Sequence, residues 1–454
     1  MLKKGTEMIA KISFLGAARN VTGSCYLLKT DNARVLVDCG LYQERKYKER
    51  NWRPFSFDPK TIDAVFLTHA HLDHSGLLPK LVRDGFKGRI FCTQATSEIA
   101  QIILLDAAHL QEEDAAYKAQ RHKREGRRGP YPDIPLYTTK NAEAVESHFS
   151  AIEYESCVNV KDSIEGCFYE AGHVLGSATL AFNINDPKIF YQADYVVIES
   201  TYGNRTHDEH RNIDIQTQLA EYINETVKTG GNIIIPSFAL ERSQEILYHL
   251  NELFIRNEIP QINVFLDSPM AIRITNVFKR HADLFDREMT RHMSQGNSPF
   301  TFDNLKMTQT TDESKAINLT KGSNIIIAGS GMITGGRIKH HLVNNITKRK
   351  NTVLFTGYQA EGTPGRLLLE GSKEIRLLGM THPVRARVVK LDGFSAHADR
   401  DGLLAWLSDI RHPPRRIFVT HGEEKAATSM AEFINEQTGW RVSVPAYGEE
   451  IVLE

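Results

Sequence analysis

The chain has 454 residues, 41% of them hydrophobic and 24% charged, with a formal net charge of −1. That length suits roughly two or three domains, and the composition is that of an ordinary globular protein. No apolar run approaches the ~20 residues of a membrane span, and a chain that is basic overall, as nucleic-acid binders often are, is excluded, so any such binding must use a local patch. Met1–Lys11 lacks the apolar core of a secretory signal. The five cysteines (Cys25, Cys39, Cys92, Cys157, Cys167) are odd in number with no CxxC, which reads as reduced thiols and a cytoplasmic protein.

In chain order, Ile9–Leu15, Cys25–Leu28, Val35–Val37, Val65–Leu67 and Ile90–Cys92 read as short apolar strands. Thr96–Gln120 reads as a long helix running into the basic stretch Arg121–Arg128. Such a stretch is ordinarily a solvated helix end; its functional reading is contact with phosphates. From about residue 212 strands and helices alternate in the rhythm of a parallel sheet. Ile213–Lys228 and Leu240–Arg256 are expected helices; Asn232–Ile235, Ile262–Leu266, Ile325–Ala328 and Thr352–Phe355 are expected strands. Beyond about residue 385 come strands Arg387–Lys390 and Ile417–Val419 and helices Asp401–Asp409 and Lys425–Gln437.

The most telling segment is His69-Ala70-His71-Leu72-Asp73-His74. It lies between the apolar strand Val65–Leu67 and the helical stretch Leu77–Val82, so three imidazoles and a carboxylate share one strand-to-helix turn. One tight turn cannot aim all four at a single ion. His69 and His71 can face one site, and Asp73 and His74 a second beside it. Imidazole and carboxylate suit Zn²⁺, with Mn²⁺ or Fe²⁺ as alternatives. His173 has Gly172 and Gly176 close by, which leaves room for approach to a metal. His421 follows the strand Ile417–Val419, and strand ends are where α/β folds place ligands. Asp38 ends the strand Val35–Val37 and is placed to orient a metal-bound histidine.

Together these pieces resemble the metallo-β-lactamase-fold nucleases of the β-CASP group, which includes the RNA 3′-end cleavage endonucleases and RNase J. The resemblance is carried by Leu36–Gly40, Thr68–Gly76, Ala171–His173, Ile198–Gly203, Gly393–Asp399 and Val419–Glu423, in the family's order along nearly the whole chain. It implies an α/β fold: an αββα sandwich (1–203, returning at 385–454) with an inserted β-CASP domain (204–384). It implies two zinc ions per chain, with Mn²⁺ as an alternative. His69, His71 and His173 would hold one, and Asp73, His74 and His421 the other. RNA phosphodiester bonds would be hydrolysed by a hydroxide activated between the metals, which makes Asp73 part of the catalytic set. His397 would protonate the leaving group, and Glu199 would hold its tautomer and raise its pKa. The cap would contribute substrate contacts. Arg242 and Ser395 are candidates, as are Ser330 and Gly331 in the Gly-rich turn Ser330–Arg337. The implied partner is RNA, with no membrane and with a homodimer compatible. No appended RNA-binding domain like that of archaeal relatives is expected at either end, and no C-terminal extension like that of RNase J.

One part of the pattern is missing. A carboxylate bridging both metals should follow the strand Lys188–Tyr191, yet Gln192-Ala193-Asp194 leads at once into Tyr195–Ser200. Parallel strands need a crossover of about a dozen residues or more, and Asp194 sits at the start of the later strand. Either the carboxylate is deleted, or the working protein carries a loop absent from this sequence. The crossover requirement favours the second, and a Tyr191–Gln192 Cα separation well above ~3.8 Å is its signature. The missing ligand keeps a catalytically impaired RNA-binding relative as an alternative. A DNA nuclease of the same fold is another, although DNA-acting relatives typically lack a histidine at the position of His421. A small-molecule hydrolase would lack the long insertion and the Glu199/His397 pair.

Overall fold

Short runs of β-branched and aliphatic residues give this chain its strands. A computed structural model describes residues 10–126, 129, 131–184, 192–206, 214–285, 289–290, 298–359 and 362–454. The backbone divides into two units, Met1–Thr206 with His397–Glu454, and His207–Ala396.

The first unit begins with β1 (Ala10–Phe14), β2 (Tyr26–Lys29), β3 (Arg34–Val37), β4 (Ala64–Phe66), β5 (Arg89–Cys92) and β6 (Phe149–Ala151). It continues with β7 (Ser156–Val160), β8 (Ile164–Glu170), β9 (Ala178–Asn183) and β10 (Tyr195–Ile198). The inserted unit carries β11 (Ile233–Pro236), β12 (Asn263–Leu266), β13 (Leu305–Met307), β14 (Asn324–Ala328), β15 (Thr352–Phe355), β16 (Glu374–Leu377), β17 (Met380–Pro383) and β18 (Arg387–Lys390). The chain then returns with β19 (Arg416–Val419), β20 (Val442–Ser443) and β21 (Glu450–Leu453).

In the first unit one sheet has the order β21-β1-β2-β3-β4-β5-β6, and a second layer holds β7-β8-β9 and β10-β19-β20. The layers meet through apolar side chains. Leu28, Val35 and Phe66 pack on Ile164 and Phe168, and Phe14 and Tyr26 pack on Phe418. Helices Arg400–Ser408 and Glu424–Thr438 cover β10 and β19 with Leu403, Leu407, Met430 and Ile434. Helix Gln94–Glu125 packs on β6; it starts on a Thr93 hydroxyl cap and stops at Gly126, which is left-handed. This is the α/β sandwich that the sequence implied.

The inserted unit is a parallel sheet, β13-β12-β14-β11-β15-β18. Its central strands are buried throughout, as parallel strands covered on both faces must be. Strand β18 pairs with β15. It therefore belongs to the inserted sheet, not to the returning segment expected from 385, which begins at His397. The two boundaries, 385 and 397, are twelve residues apart, a stretch that holds β18, and so short an apolar run does not tell which sheet it joins.

The cysteine reading also needs correction. Cys157 and Cys167 face each other across β7 and β8 and are joined as a disulfide, while Cys25, Cys39 and Cys92 are free and buried. An odd count concealed a cross-strand pair. The strand expected at Lys188–Tyr191 and the Tyr191–Gln192 junction lie outside the described residues.

Candidate metal centre

The donors of the HxHxDH turn are aimed by the strand ends beneath them. Strand β3 ends at Asp38, which turns with φ 61°. Its buried carboxylate then accepts from the Thr68 backbone N–H (2.8 Å), the Thr68 hydroxyl (3.0 Å) and His74 Nδ1 (2.7 Å). Asp38 thus fixes the turn after β4 and orients the His74 ring, whose Nε2 points the other way. Gly40 has to be glycine, because a Cβ there would stand 1.7 Å from the Asp73 carbonyl oxygen.

His173 arrives on the loop after β8. Gly172 has φ 66°, and Ser177 Oγ accepts from the backbone N–H groups of His173 and Val174 at 3.1 Å each. His421 follows β19 with φ 49°, its N–H donating to the Ala17 carbonyl at 2.7 Å. Five imidazoles distant in sequence therefore converge. His69 Nε2 lies 3.1 Å from His71 Nδ1, and His74 Nε2 lies 3.0 Å from His421 Nε2. The His173 ring is 4.9 Å from that of His69.

Among the described residues, His69, His71 and His173 bring donor atoms within 4.8 Å of one another, and so do Asp73, His74 and His421; a third such set, Cys157, Glu165 and Cys167, contains the disulfide. Burial pushes His69 well below the ordinary histidine range and His71 down to about 4, so both rings are neutral at pH 7. Burial alone would raise Asp73, but hydrogen bonding to His421 and the surrounding imidazoles hold it well below the usual carboxylate range. For His421, burial is outweighed by Asp73 and Glu199, which push it up. Ring nitrogens facing each other at 3.0–3.1 Å suit a cation between them. Two ligands of a tetrahedral zinc with ~2.0–2.1 Å bonds lie only about 3.3 Å apart. The donor set fits the metal type read from sequence.

Beside this cluster, His397 Nδ1 is 3.0 Å from Glu199 Oε1. The other Glu199 oxygen accepts from the Thr201 N–H at 2.9 Å. Burial raises Glu199, but its bond to His397 prevails and brings it down to about 2, so it is ionised. The His397 ring lies 4.5 Å from that of His173. Asp194 is elsewhere, at the start of β10 and 3.4 Å from Arg415 Nε, the opposite end of the strand from Glu199. It does not supply the missing carboxylate.

The four candidate substrate contacts all fall in the inserted unit. Arg242 pairs with Glu245 at 2.7 Å and places its guanidinium over Phe394. Ser330 Oγ accepts from the Gly335 N–H at 3.2 Å within the Gly-rich turn. Gly331 presses against the ring of Phe238, and Ser395 is exposed after β18. In the basic run, Arg121 pairs with Glu125 and His122 with Asp133, both at 2.8 Å; Arg127 and Arg128 lie outside the described residues.

Two hydroxyls escaped the sequence reading. Thr68 Oγ1 touches Asp38 and lies 3.0 Å from His69 Nδ1. Thr201 Oγ1 lies 3.2 Å from His421 Nδ1 while its own N–H holds Glu199, so one residue orients a candidate ligand and the candidate acid's partner. The only available signal was position: each threonine adjoins a strand end that carries a site residue.

The chain matches the metallo-β-lactamase superfamily over residues 18–137. It matches the Beta-Casp domain over 243–368 and the Zn-dependent metallo-hydrolase RNA specificity domain over 381–445. It is 36% identical to Ribonuclease TTHA0252 of Thermus thermophilus, covering 96% of this chain and 98% of that protein. It is 31% identical to an RNase J-like protein of Methanocaldococcus jannaschii, covering 96% and 98%. Identity to the transcription termination factor FttA of Methanosarcina mazei is 30%, over 93% of this chain and 68% of that one. A solved structure of a protein of unknown function from Enterococcus faecalis shares the fold, with a TM-score of 0.51 at 12% identity over 98% of this chain and all of that one. With two lactamase-type layers, an inserted parallel sheet and relatives of matching length on both counts, the chain belongs to the β-CASP group of metallo-β-lactamase-fold hydrolases.

Proposed function

We propose that this protein is a zinc-dependent ribonuclease that hydrolyses RNA phosphodiester bonds with His397 as the acid for the leaving oxygen. The observation that carries the reading is the juxtaposition of two three-donor clusters with a carboxylate-oriented imidazole. His69, His71 and His173 would hold one metal, and Asp73, His74 and His421 a second. Bound there, such metals supply an activated water and neutralise charge on the phosphate.

The protein's own residues do the rest. Asp38 and Thr201 fix the rings of His74 and His421, so the donors need no reorganisation. Ionised Glu199 accepts a hydrogen bond from His397 Nδ1, which fixes the ring and leaves the opposite nitrogen for the leaving oxygen, the placement a general acid needs. The named ribonuclease and RNase J-like relatives support RNA as substrate. The absence of a long apolar helix among the described residues is compatible with a cytoplasmic enzyme.

A second reading, an RNA-binding relative with impaired turnover, is favoured by one observation. Among the described residues no carboxylate is shared between the two donor groups. One experiment separates the readings: digestion of 5′- and 3′-labelled RNA with added Zn²⁺ or Mn²⁺, beside DNA and a thioester. RNA turnover supports the ribonuclease, RNA binding without turnover the impaired relative, and turnover of DNA alone or of thioester alone overturns both.

A further inference from the structure

The inserted unit presents a feature that the metal centre does not use. Strands β14, β11 and β15 are parallel neighbours, so the turns leaving their C-terminal ends come together. These turns carry Phe238, Gly331 and the pair Gly357-Tyr358. Phe238 is 38% exposed and Tyr358 50% exposed.

Phe238 is exposed but tightly fixed. Its carbonyl accepts from the hydroxyls of Ser243 (2.7 Å) and Ser237 (3.1 Å). Gly331 lies flush against its ring, since a Cβ there would stand 2.8 Å from two ring carbons. A Cβ on Gly357 would meet the same ring at 3.5 Å and Arg242 Nε at 3.9 Å. Buried Gln359 donates to the carbonyls of Gly331 (2.9 Å) and Gly357 (3.3 Å), tying both glycine turns together around the ring. A core phenylalanine would be covered, and an incidental surface one would not be gripped by two glycines and an amide clamp. The place is the C-terminal edge of a parallel sheet, where such sheets take ligands. The Arg242 guanidinium sits 5.1 Å from the centre of the Phe394 ring, and Phe394 stands three residues before His397 in the chain. A rigidly held, part-exposed ring with an arginine beside it, itself paired with Glu245 at 2.7 Å, suits the base and phosphate of an unpaired nucleotide.

We propose that Phe238, with Tyr358 and Arg242, forms a subsite that stacks one nucleobase of single-stranded RNA and holds its phosphate. The subsite rests on the ribonuclease reading and selects unpaired over paired RNA, because a paired base keeps its faces within the stack.

The test uses the full chain with His397→Ala to prevent turnover. Affinity is measured for a short single-stranded RNA and for copies carrying one abasic nucleotide at each successive position. One position should lose roughly 5- to 100-fold. Phe238→Leu keeps an apolar side chain against Gly331 and removes the π-face. It should weaken the intact RNA by a similar factor and abolish the extra loss at that position, while Phe238→Tyr retains both. Duplex RNA should bind Phe238→Leu and the parent alike. If the abasic profile of Phe238→Leu matches the parent's, the subsite is wrong while turnover of RNA by the unsubstituted chain keeps the ribonuclease reading intact. If the unsubstituted chain neither binds nor cleaves RNA, both fall.

Discussion

Each unit buries a polar cluster where parallel strands end, and the two clusters are wired in opposite ways. In the inserted unit Asp267, 0% exposed, follows β12. It accepts from His341 Nε2 and Arg337 Nη1 at 2.6 Å each, from Thr308 Oγ1 at 2.7 Å and from Ser314 Oγ at 2.5 Å. An ionised carboxylate only accepts, and each of these four groups can donate, so the carboxylate is satisfied within the unit, while His341 Nδ1 is buried without a hydrogen-bond partner among the described residues. In the first unit, His74 Nε2 and His421 Nε2 meet at 3.0 Å, and each ring is already held through its other nitrogen. On the proposed reading a cation completes that cluster. Buried polarity alone is therefore no sign of a binding site; buried ring nitrogens turned toward one another are a better one.

The comparison breaks or holds on a few substitutions. The largest expected effect is on turnover. His397→Ala and Glu199→Gln should slow RNA cleavage by about 10² to 10⁴-fold, the usual scale of a general acid, with zinc content by elemental analysis unchanged. Loss of zinc in either variant would move that residue into the metal set. Next in size, Asp267→Ala should cost about 3–5 kcal/mol of stability, because it strands the buried His341 and the part-buried Arg337. Denaturant midpoints measure this, and turnover per folded molecule should stay at the parent's level. A cost under about 1 kcal/mol would mean that the Asp267 cluster is not an anchor.

The same contrast explains what could be read from the sequence. The HxHxDH turn was legible because its four donors lie within six consecutive residues, 69–74, after an apolar strand. His173, His421, Glu199 and His397 were found through family motifs, since nothing local marks a single histidine after a strand. The Asp267 cluster went unseen because its members, at 267, 308, 314, 337 and 341, are each unremarkable until the sheet brings them together. Strands β7 to β9 were missed for a related reason: they carry polar residues such as Asn159, Glu165 and Glu170 and lack a continuous apolar run. Boundaries held to within a few residues where caps were explicit, as at Thr93 and Gly126 for the long helix. The edge between the two units was misplaced because β18 reads alike in either sheet.

Metal addition sharpens the comparison from the other side. For the chain in chelator, His74→Ala should lower the unfolding midpoint, because the buried Asp38 carboxylate loses the Nδ1 partner it holds at 2.7 Å. Saturating zinc, at about 100 times its dissociation constant, should then stabilise the parent by about 2.7 kcal/mol and His74→Ala by much less. Thermal unfolding with and without zinc reads both numbers. Equal stabilisation of the parent and His74→Ala by zinc would show that His74 takes no part in holding the metal.

The smallest expected effect is on pH dependence, and its sign follows from the Asp267 wiring. Burial would raise this carboxyl, but the bonds from His341, Ser314, Thr308 and Arg337 outweigh it and bring it from 3.8 down to about 2. A carboxyl depressed in the folded state stabilises the fold fully above its unfolded pKa, and that stabilisation is lost as pH falls through the folded one. The difference of nearly two units corresponds to roughly 2 kcal/mol. The stability gap between the parent and Asp267→Asn should therefore stay constant from pH 7 to about pH 4.5 and narrow by that amount between about pH 4 and pH 2. Taking the difference between the two proteins cancels the other carboxyls, Asp73 and Glu199 among them, which the substitution does not touch. A gap that holds constant through the acid range would mean that Asp267 is held by shape and not by its charge, and the opposition between the two clusters would lose its electrostatic basis.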